Sequence, residues 1–277
     1  MSRRRVRERK ASKPSYTLRR PKMVPQTKRR ILGASLVIGL GLVGGALCFA
    51  GTPLQIGGNQ SAKGSAPVLD TKPSQPENAG IATDQWELLN WYPHDPTSFT
   101  QGLSWWNRKL HESTGMHGRS RIMEVDLETG QMLREHRLKQ EYFGEGMAII
   151  NDEAHMLTWQ SKVGFRFNPL TLEPLGEFTF TTVTGQGWGI TSDGDSAIVS
   201  DGGSTLTFFD PDTYAVRRQV QVTLNGTPIA HLNELEYWVG KDGKGYVLAN
   251  VWFKSDIIKI DPDTGIIVDV IRVKHLA

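Results

Sequence analysis

Four stretches of this chain share one layout, and that repetition limits its fold more than any other feature. They read "TQGLSWWNRKLHESTG" (100–115), "GEGMAIINDEAHMLTWQ" (144–160), "GWGITSDGDSAIVSDGG" (187–203) and "LNELEYWVGKDGKGYVLANVW" (232–252). Each opens on a polar or aromatic residue, runs into an apolar strand, turns, and returns as a second strand. A third strand follows and ends in a turn led by Asp or Asn: "VDLETG", "FNPLTL", "FDPDTY" and "IDPDTG". Superposing the openings makes Gln101, Glu145, Trp188 and Asn233 equivalent, at spacings of 44, 43 and 45 residues. Two residues on come Leu103, Met147, Ile190 and Leu235. A period near 45 with several strands per unit predicts a β-propeller. No amphipathic helix of useful length interrupts the pattern, so the fold class is all-β.

A propeller makes a geometric demand. Equivalent positions on the innermost strands converge on one axis, so residues far apart in sequence come to face one another. Glycine beside a key residue leaves room for that approach. Fourteen residues after the first three openings stand Gly115, Trp159 and Gly202, and the longer turn of the fourth unit shifts its equivalent to about Trp252. The pattern predicts a cavity walled by Trp159, Trp188 and Trp252, with Phe99 and Phe143 nearby and Glu145 and Asn233 at its mouth. Packing between blades competes as a reading for each tryptophan. It competes poorly for Glu145, because an acid is seldom buried without a purpose or a partner.

Charge divides the rest of the chain. Residues 1–30 hold thirteen of the thirty-two Lys and Arg and one acid, a net +12, while the remainder carries nineteen bases against twenty-eight acids. This basic tail lacks the apolar content to fold. It is followed by twenty charge-free residues, "ILGASLVIGLGLVGGALCFA" (31–50), long enough to cross a bilayer as a helix. Lys28, Arg29 and Arg30 at its start keep the N-terminus cytoplasmic and place the body on the far side, periplasmic or extracellular. The segment reads as a retained anchor; the alternative is a signal peptide cleaved after Ala50, releasing a secreted body. The tail then faces anionic headgroups rather than nucleic acid. The single cysteine, Cys48, lies inside this run, so no disulfide can brace the body. Residues 51–85, rich in Gly, Pro, Ser and Asn, read as a flexible linker, and 86–277 as the propeller domain. The histidines show no metal-ligand spacing, and no Ser sits in a G-x-S-x-G context, so neither a metal nor a serine nucleophile is expected.

The ordered motifs "YPHDPTSFTQGL" (92–103), "ESTG" (112–115), "FGEG" (143–146), "LTW" (157–159), "GWG" (187–189), "SDG" (200–202), "LNELE" (232–236) and "NVW" (250–252), followed by "IDPDTG", cover most of 86–265. Together they resemble the plant-type (papaya-type) glutaminyl-peptide cyclotransferases, the glutaminyl cyclases. The resemblance implies a five-bladed propeller that turns an N-terminal glutaminyl residue into pyroglutamate and releases ammonia, without a cofactor, acting as a monomer on peptide or protein N-termini. It implies roles as well: Glu145 as the proton shuttle, Asn233 as an oxyanion donor, and Gln101 fixing the substrate amine or amide. Phe99, Phe143, Trp159, Trp188 and Trp252 would form the family's aromatic pocket. Sequence for about four blades is present. The chain stops at "DVIRVKHLA", where the family's last blade begins, and no residue matches the lysine which that blade contributes. A non-catalytic propeller that binds a peptide or glycan in the same cavity is therefore the alternative expectation.

Overall fold

One turn recurs at four places and sets the architecture. The computed structural model describes residues 89–273. In it, Asp126 Oδ1 accepts the Thr129 N–H and hydroxyl, both at 2.8 Å. Asp210 Oδ1 takes the same two groups of Thr213 at 2.9 Å. Asn168 Oδ1 accepts the Leu170 N–H at 2.8 Å, and Asp261 Oδ1 the Asp263 N–H at 2.9 Å. Such side-chain-to-backbone bonds are why Asp and Asn lead turns. A residue with positive φ then closes each one: Gly130 (69°), Leu172 (60°), Tyr214 (56°) and Gly265 (74°). The register slips by a bulge beside every copy, at Glu124/Val125, Arg166/Phe167, Phe208/Phe209 and Lys259/Ile260.

These turns join third strands to fourth strands, giving four antiparallel four-stranded sheets. The first comprises β1 (Thr100–Trp106), β2 (Lys109–Thr114), β3 (Arg121–Val125) and β4 (Met132–Arg137). The second comprises β5 (Gly144–Ile150), β6 (Glu153–Thr158), β7 (Val163–Phe167) and β8 (Pro174–Thr179). The third comprises β9 (Ile190–Ser192), β10 (Ala197–Val199), β11 (Thr205–Phe209) and β12 (Val216–Gln221). A short hairpin, β13 (Thr223–Leu224) and β14 (Thr227–Pro228), leads to the fourth: β15 (Leu232–Val239), β16 (Gly245–Val251), β17 (Asp256–Ile260) and β18 (Ile267–Arg272). Each sheet runs in chain order from inner to outer strand, the blade topology of a propeller. No helix occurs among the described residues. The predicted anchor and linker lie outside them.

The inner strands pack in succession, β1 on β5, β5 on β9 and β9 on β15. Alternation along each strand sends apolar residues into the seams between sheets. Ile122, Met147, Met156 and Phe167 fill the first seam, Leu157, Ile190, Val199 and Phe209 the second, and Phe208, Leu235, Val247 and Ile258 the third. No comparable packing joins β15 to β1 among the described residues. The far face of the first sheet carries a small cluster of Leu110, Met123 and Val125. The far face of the fourth carries Leu248, Ile257 and Val273. Residues 89–99 form no strand, and Trp91 is exposed.

Candidate active site

The equivalence read from the repeat holds in the backbone. In three sheets the pairing of inner to second strand breaks at a bulge, between Thr100 and Gly102, Gly144 and Met147, and Leu232 and Leu235. Gln101, Glu145 and Asn233 lie on these three bulges. A bulge leaves its extra residue outside the ladder and re-aims the side chain. Below each bulge the same bond recurs: the N–H after the second strand donates to the carbonyl before the inner one. It joins Gly115 to Phe99 at 2.8 Å, Trp159 to Phe143 at 3.0 Å and Trp252 to His231 at 2.9 Å. In the third sheet Trp188 takes part instead, its N–H donating to Ser200 O at 3.0 Å. Neighbouring sheets are tied at the same level. Ser113 Oγ donates to Glu145 O at 2.7 Å and Ser200 Oγ to Asn233 O at 2.6 Å, while the Gly146 N–H donates to Trp188 O at 2.8 Å.

The five predicted aromatic residues form one connected arc. Phe99 meets Phe143 edge-on at 6.0 Å between centroids, and Phe143 meets Trp159 at 5.8 Å. Trp188 meets Trp252 at 5.2 Å, nearly perpendicular. The two halves are bridged by Gln186, whose Oε1 accepts the Trp159 indole N–H at 2.5 Å and the Trp188 indole N–H at 2.9 Å. Buried indoles need such a partner. The small residues of the second ring make space for this arc. A Cβ on Gly115 would lie 2.4 Å from the Phe143 ring and 3.0 Å from Gln101 Nε2, and one on Gly202 would lie 2.5 Å from the Trp188 ring. The arc is half-buried up to Trp188, and Trp252, at 37 % exposed, forms its open end with Phe253 stacked on it at 4.0 Å.

Glu145 is not at the mouth, where the sequence placed it, but buried, with 6 % of its surface exposed. Burial pushes its carboxyl well above the usual carboxylate range, because the charged form loses its hydration. A second acid, half-buried but with its carboxyl turned inward, stands by it. Glu234, within "LNELE", was given no role by the sequence reading. Its carboxyl receives the N–H groups of Leu103 and Leu235, yet Oε2 is sealed from water and has no partner among the described residues, although other parts of the residue reach solvent. That oxygen lies 2.7 Å from where a Cβ on Gly146 would stand, and Oε1 lies 3.1 Å from one on Gly102. The glycines beside Gln101 and Glu145 leave room for neighbouring backbone, Met147 N at 2.5 Å and Trp188 O at 2.6 Å from such a Cβ, and for the Glu234 carboxyl. Burial, then the charges of Glu236 and Glu145, also raise Glu234 well above the carboxylate range. The site therefore holds two carboxyls, of Glu145 and Glu234, that keep their protons above the ordinary carboxylate range, on or next to bulges that are equivalent to the one carrying Gln101. Asn233, half-buried, completes the three bulges. Among the described residues no group of three His, Cys, Asp or Glu could hold a metal ion.

Four propeller sheets, with an aromatic arc and a buried acid at the level of their inner bulges, define a class, an all-β protein of propeller architecture. Comparison with known proteins makes it more particular. The family model described as glutamine cyclotransferase matches residues 65–277, so the chain belongs to the glutamine cyclotransferase family. It is similar to the glutaminyl-peptide cyclotransferase of Arabidopsis thaliana, 37 % identical over 180 residues, which are 65 % of this chain and 54 % of that protein. The chain thus spans about half the length of that relative. The crystal structure of Myxococcus xanthus glutaminyl cyclase superposes with a TM-score of 0.59 at 34 % identity, covering 65 % of this chain and 73 % of that one.

Proposed function

We propose that the chain converts N-terminal glutaminyl residues of peptides to pyroglutamate and releases ammonia, with Glu145 carrying the proton. The observation behind this is the burial of the Glu145 carboxyl on an inner-strand bulge that directly follows Phe143 of the aromatic arc. Similarity to the Arabidopsis glutaminyl-peptide cyclotransferase and the Myxococcus glutaminyl cyclase supports the same reaction.

The reaction is intramolecular. The free α-amine attacks the side-chain carboxamide carbon of its own residue, a C–N bond forms, and the carboxamide C–N bond breaks. Holding the glutaminyl chain folded back supplies much of the acceleration. The arc from Phe99 to Trp252 is the wall assigned to that task. Gln101 is the group to hold the amine or amide, and Asn233 the donor to the developing oxyanion. Glu145 accepts the amine proton and returns it to the departing nitrogen, which leaves as ammonia. Because burial raises its carboxyl, the accepting form accumulates only above the ordinary carboxylate range. The acid limb of kcat should therefore lie well above pH 4.5, the ordinary value.

The test is ammonia release from Gln-Ala amide by the full-length chain in detergent. Glu145→Gln should lower kcat about 10²-fold or more, within the usual range for a general acid–base group. Asn233→Ala should lose about 10²–10³, as for one oxyanion donor. Equal rates for wild type and Glu145→Gln would sink the assignment. A second reading, peptide binding without turnover, is favoured by the open end of the arc, where Phe253 is 76 % exposed. Tight binding of Gln peptides with no ammonia release would select it.

We also infer that 31–50 anchors the chain in a membrane, with the propeller, as a monomer, outside the cytoplasm. The charge-free run after Arg30 supports this. Release of the protein from membranes by alkaline carbonate, or cleavage after Ala50 seen by mass spectrometry, would refute the anchor.

A further inference from the structure

A cavity of about 210 Å³ adjoins the aromatic arc at its Phe99 end. It is lined by Phe99 and Gly115 on the side shared with the arc, and by Asp95, Arg119, Arg121 and Arg137 on the other. The shared wall is rigid: the Gly115 N–H donates to Phe99 O at 2.8 Å, and the same glycine faces the Phe143 ring and the Gln101 amide. The loop that follows is held as well. Met116 sits at a φ of 84°, and its carbonyl accepts the N–H groups of Arg119 and Ser120 at 2.9 Å and the Ser120 hydroxyl at 2.8 Å.

The charges around this cavity do not cancel. Arg121 pairs with Glu135 at 3.0 Å and more distantly with Asp95 at 3.7 Å. Arg137 uses its Nε on the same Glu135, at 2.7 Å. Asp95 is further engaged by the Thr97 N–H and hydroxyl, at 2.9 and 2.7 Å. Arg119 forms no ion pair among the described residues; its Nη2 donates to Thr97 O at 3.1 Å. Three guanidinium groups against two carboxylates leave one positive charge in excess, and that excess resides on Arg119 and the outer edge of Arg137. A guanidinium presents paired donors that match a carboxylate.

We propose that this cavity is a subsite for a carboxylate of the peptide substrate, so that acidic peptides with an N-terminal Gln are the preferred class. The path is short. A glutaminyl residue seated against Phe143 and Gln101 sends the chain that follows it past Gly115 and into the arginine-lined cavity. The carboxylate comes either from an acidic side chain at the second or third residue or from the C-terminus of a short peptide. The inference rests on the proposed cyclisation site only for where the first residue sits.

The experiment compares Gln-Ala-Ala amide with Gln-Glu-Ala amide, Gln-Ala-Glu amide and Gln-Ala-Ala free acid, using the full-length chain at low salt. Whichever acidic arm reaches the cavity should show a kcat/KM about five-fold above the neutral peptide, carried by KM, the size expected of one exposed charge-assisted pair. In Arg119→Ala/Arg137→Ala that preference should shrink to within about two-fold and turnover of the neutral peptide should persist, and raised salt should weaken the preference in the wild type. The same peptides are titrated as ligands by tryptophan fluorescence. Acid-selective binding that the double substitution abolishes, without turnover of any peptide, would keep the subsite and discard the cyclisation reading. Equal treatment of acidic and neutral peptides in both assays, or a preference unchanged by the double substitution, overturns the subsite.

Discussion

The seams between consecutive sheets and the far faces of the first and fourth sheets are made of similar strands but differ in what they admit. The seams are apolar and sealed: Phe208, Phe209, Ile198 and Leu206 are fully buried there. The far faces hold half-cores edged with charge. On the fourth sheet Lys259 Nζ lies 3.7 Å from the Tyr246 ring centroid and 4.7 Å from that of Trp238. On the first, Glu112 takes the Thr100 hydroxyl at 2.6 Å and the His94 ring at 3.1 Å. The histidines follow the same division. His155, in the second seam against Tyr214 at 2.5 Å, is driven down to about 4, mainly by burial. His94, on the far face, is raised, chiefly by its hydrogen bond to Glu112. Desolvation governs the seams, and pairing in reach of water governs the flanks. Stability should therefore be concentrated in the seams.

The largest expected effect tests that directly. Phe208→Ala removes a ring buried in the third seam and covered by the Arg218 guanidinium at 3.5 Å. It should cost about 3–5 kcal/mol, read from the urea midpoint. A loss under about 1 kcal/mol would mean that the seam relaxes freely and the contrast is false.

Acid probes the second seam with a slightly smaller effect. His155 is buried neutral, so its contribution is complete above the ordinary histidine value of 6.5 and is lost as pH falls toward about 4. The window amounts to about 3 kcal/mol. Thermal scans from pH 7 to pH 4.5 should show Tm falling in the wild type and falling less in His155→Phe. Parallel slopes in the two proteins would place the acid-sensitive group elsewhere.

The smallest effect belongs to the flank. Trp105 is 52 % exposed beside the first sheet's half-core, so Trp105→Ser should change stability by no more than about 0.5 kcal/mol. A loss several times larger would show that this face is covered in solution, and the distinction between seam and flank would have to be redrawn.

Much of the fold was legible because it repeats. The apolar positions two residues past each opening marked Met147, Ile190 and Leu235, which are at most 2 % exposed. The Asp and Asn turns marked the ends of the third strands. The fourth strands were not legible. "MLREHR" and "VRRQVQ" lie on the outer edge, largely in contact with water, and nothing forces apolar alternation on them. The repeat put Gly115, Trp159 and Gly202 at equivalent places, and in the structure Gly115 and Gly202 each face a ring, of Phe143 and of Trp188. Gln186 was not foreseen, because its task depends on two indoles brought from different strands.

The repeat in the sequence determined the first three strands of each blade and the turns that end the third, since those follow from how each strand alternates and where it must reverse. Only the tertiary structure decided that Glu145 is enclosed rather than at a rim, and that Glu234 occupies the gap left by Gly102 and Gly146. A carboxyl's surroundings are made by neighbours from other sheets, and its proton affinity is set by the water they exclude.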